Sequence, residues 1–398
     1  RFLARRFRCT ECLMNISTSA WVSLVFFSSL RFFFSQTMPP AELSQLQNAL
    51  LTWFVGHQRD LPWRKNYPAY GVWISEMMLQ QTRVATVLDY YDRWMKALPS
   101  IPFVAAADEA TILKLWEGLG YYARARNIHR AAKQICEQHS GEFPNDYDAI
   151  RQLPGIGPYT AGAISSIAFE QDRPVVDGNV IRVLCRLLNL DADPKAGSTQ
   201  KKLWQVATDW LPKGHARNFN QGLMELGATV CHVQQPSCLL CPIQPHCQAY
   251  VYQTTETVPR RTQRKAPTPV TKAVLVLVCE NQVLLRRPEQ GLMQGLWTFP
   301  ETLIKEEGPL VELQAEWQLR NRPNFQLQTS WPTLTHAYTT FLATLHPFYC
   351  TLTSIQADFP LEAEEQWHPL ESLPKLAMAK AHGHLRQRLL NQNNQDSP

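Results

Sequence analysis

At 398 residues and a formal charge of +5, the chain is long enough for two or three domains with their own cores, and too weakly charged to be a wholly basic protein, although basic patches are permitted. Its longest apolar run, Ala20 to Phe34, is fifteen residues, short of the roughly twenty that span a bilayer. Ten cysteines could suggest secretion, but Cys231, Cys238, Cys241 and Cys247 cluster while the others lie singly or as the pair Cys9/Cys12, a pattern of one metal site plus free thiols in a reducing compartment.

Residues 1–37 look foreign to the rest of the chain. They are Arg-rich (Arg1, Arg5, Arg6, Arg8), nearly free of acids, and show no small-residue cleavage site. A targeting presequence is compatible with this, but the segment reads better as an extension outside the fold, with Met38 as the natural start. From Ala41, apolar residues at Leu43, Leu46, Leu50 and Phe54 mark a helix. The loop that closes it, Arg59-Asp60-Leu61-Pro62-Trp63-Arg64, offers an aromatic and two arginines that could stack on a base or simply pack on a surface.

Val72 to Lys96 reads as one long helix. Within it Glu76 stands among Ile74, Met77, Met78 and Leu79, surroundings that raise a carboxyl's pKa by desolvation. A protonated acid near neutral pH is what a leaving purine requires, although most helical glutamates are simply solvated. Gln80, Gln81 and Thr82 add amides and a hydroxyl that can replace base-pair hydrogen bonds when a base leaves the stack. Next, Gly118-Leu119-Gly120-Tyr121-Tyr122 precedes Arg124 and Arg126. An exposed tyrosine here could wedge into a base step while the arginines meet phosphates; a helix junction with core tyrosines is the plainer alternative.

Leu153-Pro154-Gly155-Ile156-Gly157 cannot continue a helix and reads as a turn, with Pro158 opening a helix over Thr160 to Phe169. The unpaired amides behind Gly155 and Gly157 suit a phosphate, a grip on nucleic-acid backbone that reads no bases. After the extended Pro174-Val175-Val176 comes Asp177-Gly178-Asn179, followed by Val180, Leu184, Leu187 and Leu188 on one helical face. Asp177 or Asn179 could be an ordinary helix cap, or Asp177 could meet positive charge developing on a sugar.

The four clustered cysteines follow the spacing C-x6-C-x2-C-x5-C, and all-sulfur ligation suits either zinc or a [4Fe-4S] cube. Residues 251–272, with Pro259, Pro267 and Pro269 and five basic residues against Glu256, read as a basic extended linker. The pattern then turns strand-like: Ala273 to Cys279 and Gln282 to Leu285 form a hairpin about Glu280-Asn281. Leu334-Thr335-His336 lies in a strand-rich stretch, and the polar residues 391–398 read as a disordered tail.

Several of these strings, in this order, resemble one family. LPGIGPYTA followed by Val176-Asp177-Gly178-Asn179-Val180 resembles the signature of the helix-hairpin-helix DNA glycosylases. Ser75-Glu76-Met77-Met78-Leu79-Gln80-Gln81-Thr82 and GLGYYARARN look like the MutY-type adenine glycosylase branch, and the cysteine spacing is similar to the iron-sulfur loop of endonuclease III and MutY. The resemblance runs from about Ala41 to near Leu390. It implies an all-α, two-lobed helix-hairpin-helix domain with an iron-sulfur loop over residues 38–250, followed by an α+β Nudix-like domain over 273–390. Gly291 to Pro300 resembles the opening of a Nudix fold, but Glu301 to Gln318 lacks the REUxEE pattern that holds magnesium, so a binding module is expected there.

The resemblance further implies a monofunctional enzyme that excises adenine mispaired with 8-oxoguanine or guanine, working as a monomer on duplex DNA in a bacterial cytoplasm, at the nucleoid. Glu76 matches the proton donor and Asp177 the essential carboxylate, with Tyr159 and Asn179 positioning the sugar and Asp177. Gln81 and Thr82 match opposite-strand contacts and Tyr121 the wedge. Arg59, Trp63, Arg64 and Leu79 would contact the substrate, and Gly155 and Gly157 the backbone. Cys231, Cys238, Cys241 and Cys247 would hold a structural [4Fe-4S] cluster. Thr335 and His336 match a Phe-Ser-His loop that reads 8-oxoguanine, with Leu334 in place of the aromatic. Tyr159 stands where bifunctional relatives carry a Schiff-base lysine.

Overall fold

The periodicity at Leu46, Leu50 and Phe54 becomes helix α1 (Pro40–His57), whose buried stripe packs on α11 (Ala216–Thr229) rather than on the helices next to it in sequence. The chain therefore begins in one helical lobe, builds a second, and returns. This is a computed structural model, and it describes residues 38–260, 266–305, 307–338, 340–355 and 359–395. The expectation that residues 1–37 form an extension falls outside the described residues.

The second lobe holds α2 (Ala69–Leu79), α3 (Val84–Ala97), α4 (Ile101–Ala106), α5 (Glu109–Leu115), α6 (Ala123–His139), α7 (Tyr147–Gln152) and α8 (Pro158–Ile167). Its core includes Trp73, Trp94, Trp116, Ile128 and Ile164. The chain then returns to the first lobe for α9 (Gly178–Leu187), α10 (Gly197–Asp209), α11 and the short α12 (Gln248–Val251), around Leu50, Leu184, Phe219 and Leu223.

The helix expected over Val72 to Lys96 is in fact two, α2 and α3, broken at Gln80–Arg83. The reason lies far along the chain. Arg124 is buried, and its Nη1 donates to the carbonyls of Met77, Met78 and Gln80 at 2.7, 3.0 and 2.7 Å. With those carbonyls taken, Gln81 turns to φ +59 and the helix stops. Arg124 is thus not a phosphate contact, and Arg126 donates to the carbonyl of Gln294 at 2.8 Å.

Beyond the helices a mixed sheet forms from β1 (Thr268–Cys279), β2 (Gln282–Arg286), β3 (Glu301–Leu303), β4 (Gln326–Ser330), β5 (Leu334–Ala337), β6 (Phe341–Thr351) and β7 (Glu365–Pro369). Its order is β4-β6-β1-β2-β7, with β3 paired to β1 and β5 to β6. The β1–β2 hairpin closes through Glu280 and Asn281, both at positive φ, with Cys279 opposite Gln282. β1 reads as a continuous apolar run because both of its faces are covered. Val274 and Val276 join a core with Leu385 and Leu389 of α14 (Lys380–Gln395), while Leu275 and Leu277 meet Leu313 and Trp317 of α13 (Pro309–Leu319).

Two expected boundaries shift. β1 begins at Thr268, so the last residues of the expected linker are strand; the linker residues 261–265 lie outside the described set. The expected tail is helical through Gln395, because buried Leu385 and Leu389 anchor α14 and no Gly or Pro interrupts it there; residues 396–398 lie outside the described set. Among the described residues, no helix is long and apolar enough to cross a membrane.

Candidate active site

Between the two helical lobes lies a cavity of about 530 Å³, within the range of small-ligand sites. Glu76 reaches it from α2 in one lobe, and Asp177, at the N-cap of α9, from the other. Tyr159 and Asn179 line it too, as do Arg59, Trp63, Arg64, Leu79 and Thr82.

Glu76 is 4 % exposed. Desolvation pushes its carboxyl up to about 7; the Tyr159 hydroxyl, which donates to Oε2, opposes this, Asp177 adds to it, and Arg64 opposes it. The Tyr159 hydroxyl is itself held well above its usual range, first by burial and then by the negative charge of Glu76. Asp177 is also raised by burial, against the pull of the Val180 amide and Asn179. Its Oδ1 accepts from the Val180 amide at 2.7 Å and its Oδ2 from Asn179 Nδ2 at 2.9 Å. Arg182 Nη2 donates to Asn179 Oδ1 at 3.0 Å, so the amide is oriented from both sides. Asp177 is therefore both cap and cavity carboxylate.

Glu225, buried on α11, was not anticipated. It accepts from Arg59 Nε at 2.5 Å and from Arg64 Nη2 at 2.8 Å. Burial alone would raise its carboxyl, but the two guanidiniums outweigh this and hold it below the ordinary range. Arg59 and Arg64 are thereby fixed in the cavity wall, and Trp63 packs edge-on to Tyr91 in the core. The signal that marked Glu76, a carboxylate inside an apolar helix, is equally present in Leu223-Met224-Glu225-Leu226.

A second cavity, of about 630 Å³, opens between the helical domain and the sheet domain, lined by Gln81, Tyr121 and His336 among others. Tyr121 sits at φ +50 and is 45 % exposed. The His336 imidazole is pushed below its usual range by burial, then by Lys380. Thr335 is exposed on β5 and lines neither cavity. Gly155 and Gly157 lie apart from both cavities, in the turn before α8. Gly155 has φ +78, and a side chain there would meet Asn127 at 2.6 Å. Gly157 caps α8 with no side-chain bond to the first amides, leaving them open to a ligand.

The four cysteines line one small pocket with Arg186 and Tyr250. Arg186 Nη1 lies 3.2 Å from Cys231 Sγ. Burial, and to a lesser degree the neighbouring sulfurs, raise the thiols of Cys238, Cys241 (to about 12) and Cys247. An all-sulfur donor set facing one pocket fits a metal-sulfur group in kind. Among the described residues, however, no three metal-ligating side chains converge tightly enough to form a finished centre.

The sequence of residues 74–208 matches the family model described as HhH-GPD superfamily base excision DNA repair protein, and residues 273–388 match the NUDIX domain. The chain is 37% identical over 321 residues to an adenine DNA glycosylase of Rattus norvegicus, covering 67% of this chain and 62% of that protein. It is 40% identical over 310 residues to that of Arabidopsis thaliana (67% and 49%). The chain thus spans about three-fifths and half of those two lengths. With the adenine DNA glycosylase of Buchnera aphidicola it shares 32% identity over 325 residues, 81% of this chain and 91% of the relative. A helical domain matching the first family, a sheet domain matching the second, and a relative covered almost end to end place the chain in the adenine DNA glycosylase family.

Proposed function

We propose that the chain is a monofunctional glycosylase that hydrolyses the N-glycosidic bond of adenine mispaired with 8-oxoguanine or guanine in duplex DNA. One observation carries the reading: Glu76 and Asp177, from different lobes, share a cavity in which burial holds the Glu76 carboxyl at about 7. An acid still protonated near neutral pH can deliver its proton to N7 of an extruded adenine, making the base a better leaving group. Asp177, fixed by Val180 and Asn179, can stabilise the cationic sugar while water completes hydrolysis.

The remaining assignments follow the family resemblance. Arg59, Trp63, Arg64, Leu79 and Thr82 would contact the extruded nucleotide, and the open amides after Gly155 and Gly157 a phosphate. Gln81, Tyr121 and His336 share the second cavity, where the base opposite adenine would be read. Thr335 would act only from outside that cavity. Cys231, Cys238, Cys241 and Cys247 would hold the [4Fe-4S] cluster, whose contribution is structural: it ties the loop after α11 to α12. No lysine lines the first cavity among the described residues, and by resemblance Tyr159 stands where bifunctional relatives carry the nucleophilic lysine.

The test is single-turnover release from duplexes pairing adenine with 8-oxoguanine, guanine or thymine, with borohydride present in a parallel reaction. Release fastest opposite 8-oxoguanine and no covalent adduct are expected. A strong trapped band would identify a lyase instead, and no release from any duplex would refute the function.

A further inference from the structure

Among the contacts that join the sheet domain to the helical domain, one carboxylate gathers three partners. Glu117, in the loop after α5, accepts at Oε1 from the Met378 amide at 3.0 Å and at Oε2 from Lys114 Nζ at 2.5 Å, and its Oε1 forms an ion pair with Arg386 Nη1 at 3.1 Å. Lys114 and Arg386, one from each domain, also donate to the same carbonyl, Leu376 O, at 3.0 and 2.8 Å. Glu117 therefore supplies the negative charge between two cations that converge on one carbonyl oxygen. Around it, Ala377 and Ala379 are buried in the helical lobe's core, and a side chain at Gly295 would collide with Glu109 and Leu113.

The fastening leads to the catalytic helix. Glu117 begins the turn whose residues Gly118, Gly120 and Tyr121 all have positive φ, and Tyr122 donates from that turn to the Met378 carbonyl at 3.4 Å. Arg124 then grips the turn at Gly120 O (3.1 Å) and the end of α2 at Met77, Met78 and Gln80. Glu76 lies one residue before that captured end. We propose that Glu117 is a positioning residue that couples the reading of the opposing base in the second cavity to adenine release in the first. This rests on the proposed glycosylase function. Without its carboxylate, Lys114 and Arg386 repel across Leu376 O, the Leu376–Ala379 strap lifts, and the Tyr121 turn no longer keeps a fixed distance from His336.

The experiment compares wild type, Glu117→Ala and Glu117→Ala/Arg386→Ala as full chains. It measures single-turnover release opposite 8-oxoguanine and opposite guanine, and hydrogen exchange of the Met378 amide and residues 118–122. Glu117→Ala should lower the ratio of the two release rates about tenfold, within the usual span of coupling between sites, with release opposite guanine little changed. Removing Arg386 as well relieves the repulsion and should restore part of the ratio, the interaction expected of residues that share one contact; a merely structural loss would lower release on both duplexes alike. Exchange at Met378 should change in the same order. An unchanged ratio, an equal fall on both duplexes, or a further fall in the double variant would overturn the proposal. If wild type releases no adenine at all, the glycosylase reading fails, and exchange alone judges the fastening: faster in Glu117→Ala and slowed again in the double variant sustains it, unchanged sinks it.

Discussion

Replacing Glu76 by glutamine sets chemistry against stability. The carboxyl is 4 % exposed, and burial lifts it from an ordinary 4.5 to about 7. A folded-state pKa raised above the unfolded value means that the group's stabilising contribution is fully present below 4.5 and is lost as pH rises through about 7. A shift of this size corresponds to roughly 3 kcal/mol at about 1.4 kcal/mol per pKa unit. Glutamine keeps an acceptor for the Tyr159 hydroxyl and does not ionise. The variant should therefore match wild type to within about 1 kcal/mol at low pH and exceed it by up to about 3 kcal/mol near pH 8. Release of adenine should meanwhile fall by about 10²–10⁴, the usual contribution of a general acid. Urea unfolding at a series of pH values, with single-turnover release in parallel, measures both. Stability curves that run parallel between about pH 5 and pH 8 would refute the argument, because the carboxyl would then titrate as a solvated one.

Tyr159→Phe removes the hydroxyl that holds the Glu76 pKa down, so the pH above which release declines should move upward; movement downward in a pH-rate profile would contradict this. Glu225→Ala leaves Arg59 and Arg64 without their carboxylate, which should cost about 3 kcal/mol in denaturant unfolding, and frees Arg64 to act on Glu76, moving the same pH limit downward. Gly155→Ala, at φ +78 and against Asn127, should destabilise the hairpin by about 1–2 kcal/mol. It should also weaken duplex binding in a titration without altering preference for the opposing base, since that turn would meet backbone only.

Glu76 and Asp177 were legible because each breaks a local pattern: a carboxylate among Ile74, Met77 and Met78, and an acid between an extended run and an apolar helix face. The β1–β2 hairpin was legible for a similar reason, since Glu280-Asn281 interrupts two apolar strands. What escaped depends on distant partners. Nothing near Gln80 announces a helix end, because the group that ends it is Arg124, for which the sequence leaves open a phosphate contact or a helix junction. Glu225 carries a signal like that of Glu76, but its meaning comes from Arg59 and Arg64, more than 160 residues away. Thr335 illustrates the limit of a motif: Leu334-Thr335-His336 is contiguous in sequence, yet of the hydroxyl and the imidazole only His336 lines the cavity.

The most direct test of the account is the pH dependence of single-turnover adenine release from a duplex pairing adenine with 8-oxoguanine. If Glu76 donates its proton in the cavity it shares with Asp177, the rate constant should decline above about 7, approaching tenfold per pH unit. A rate that stays level well above that pH would show that the proton does not come from this carboxyl.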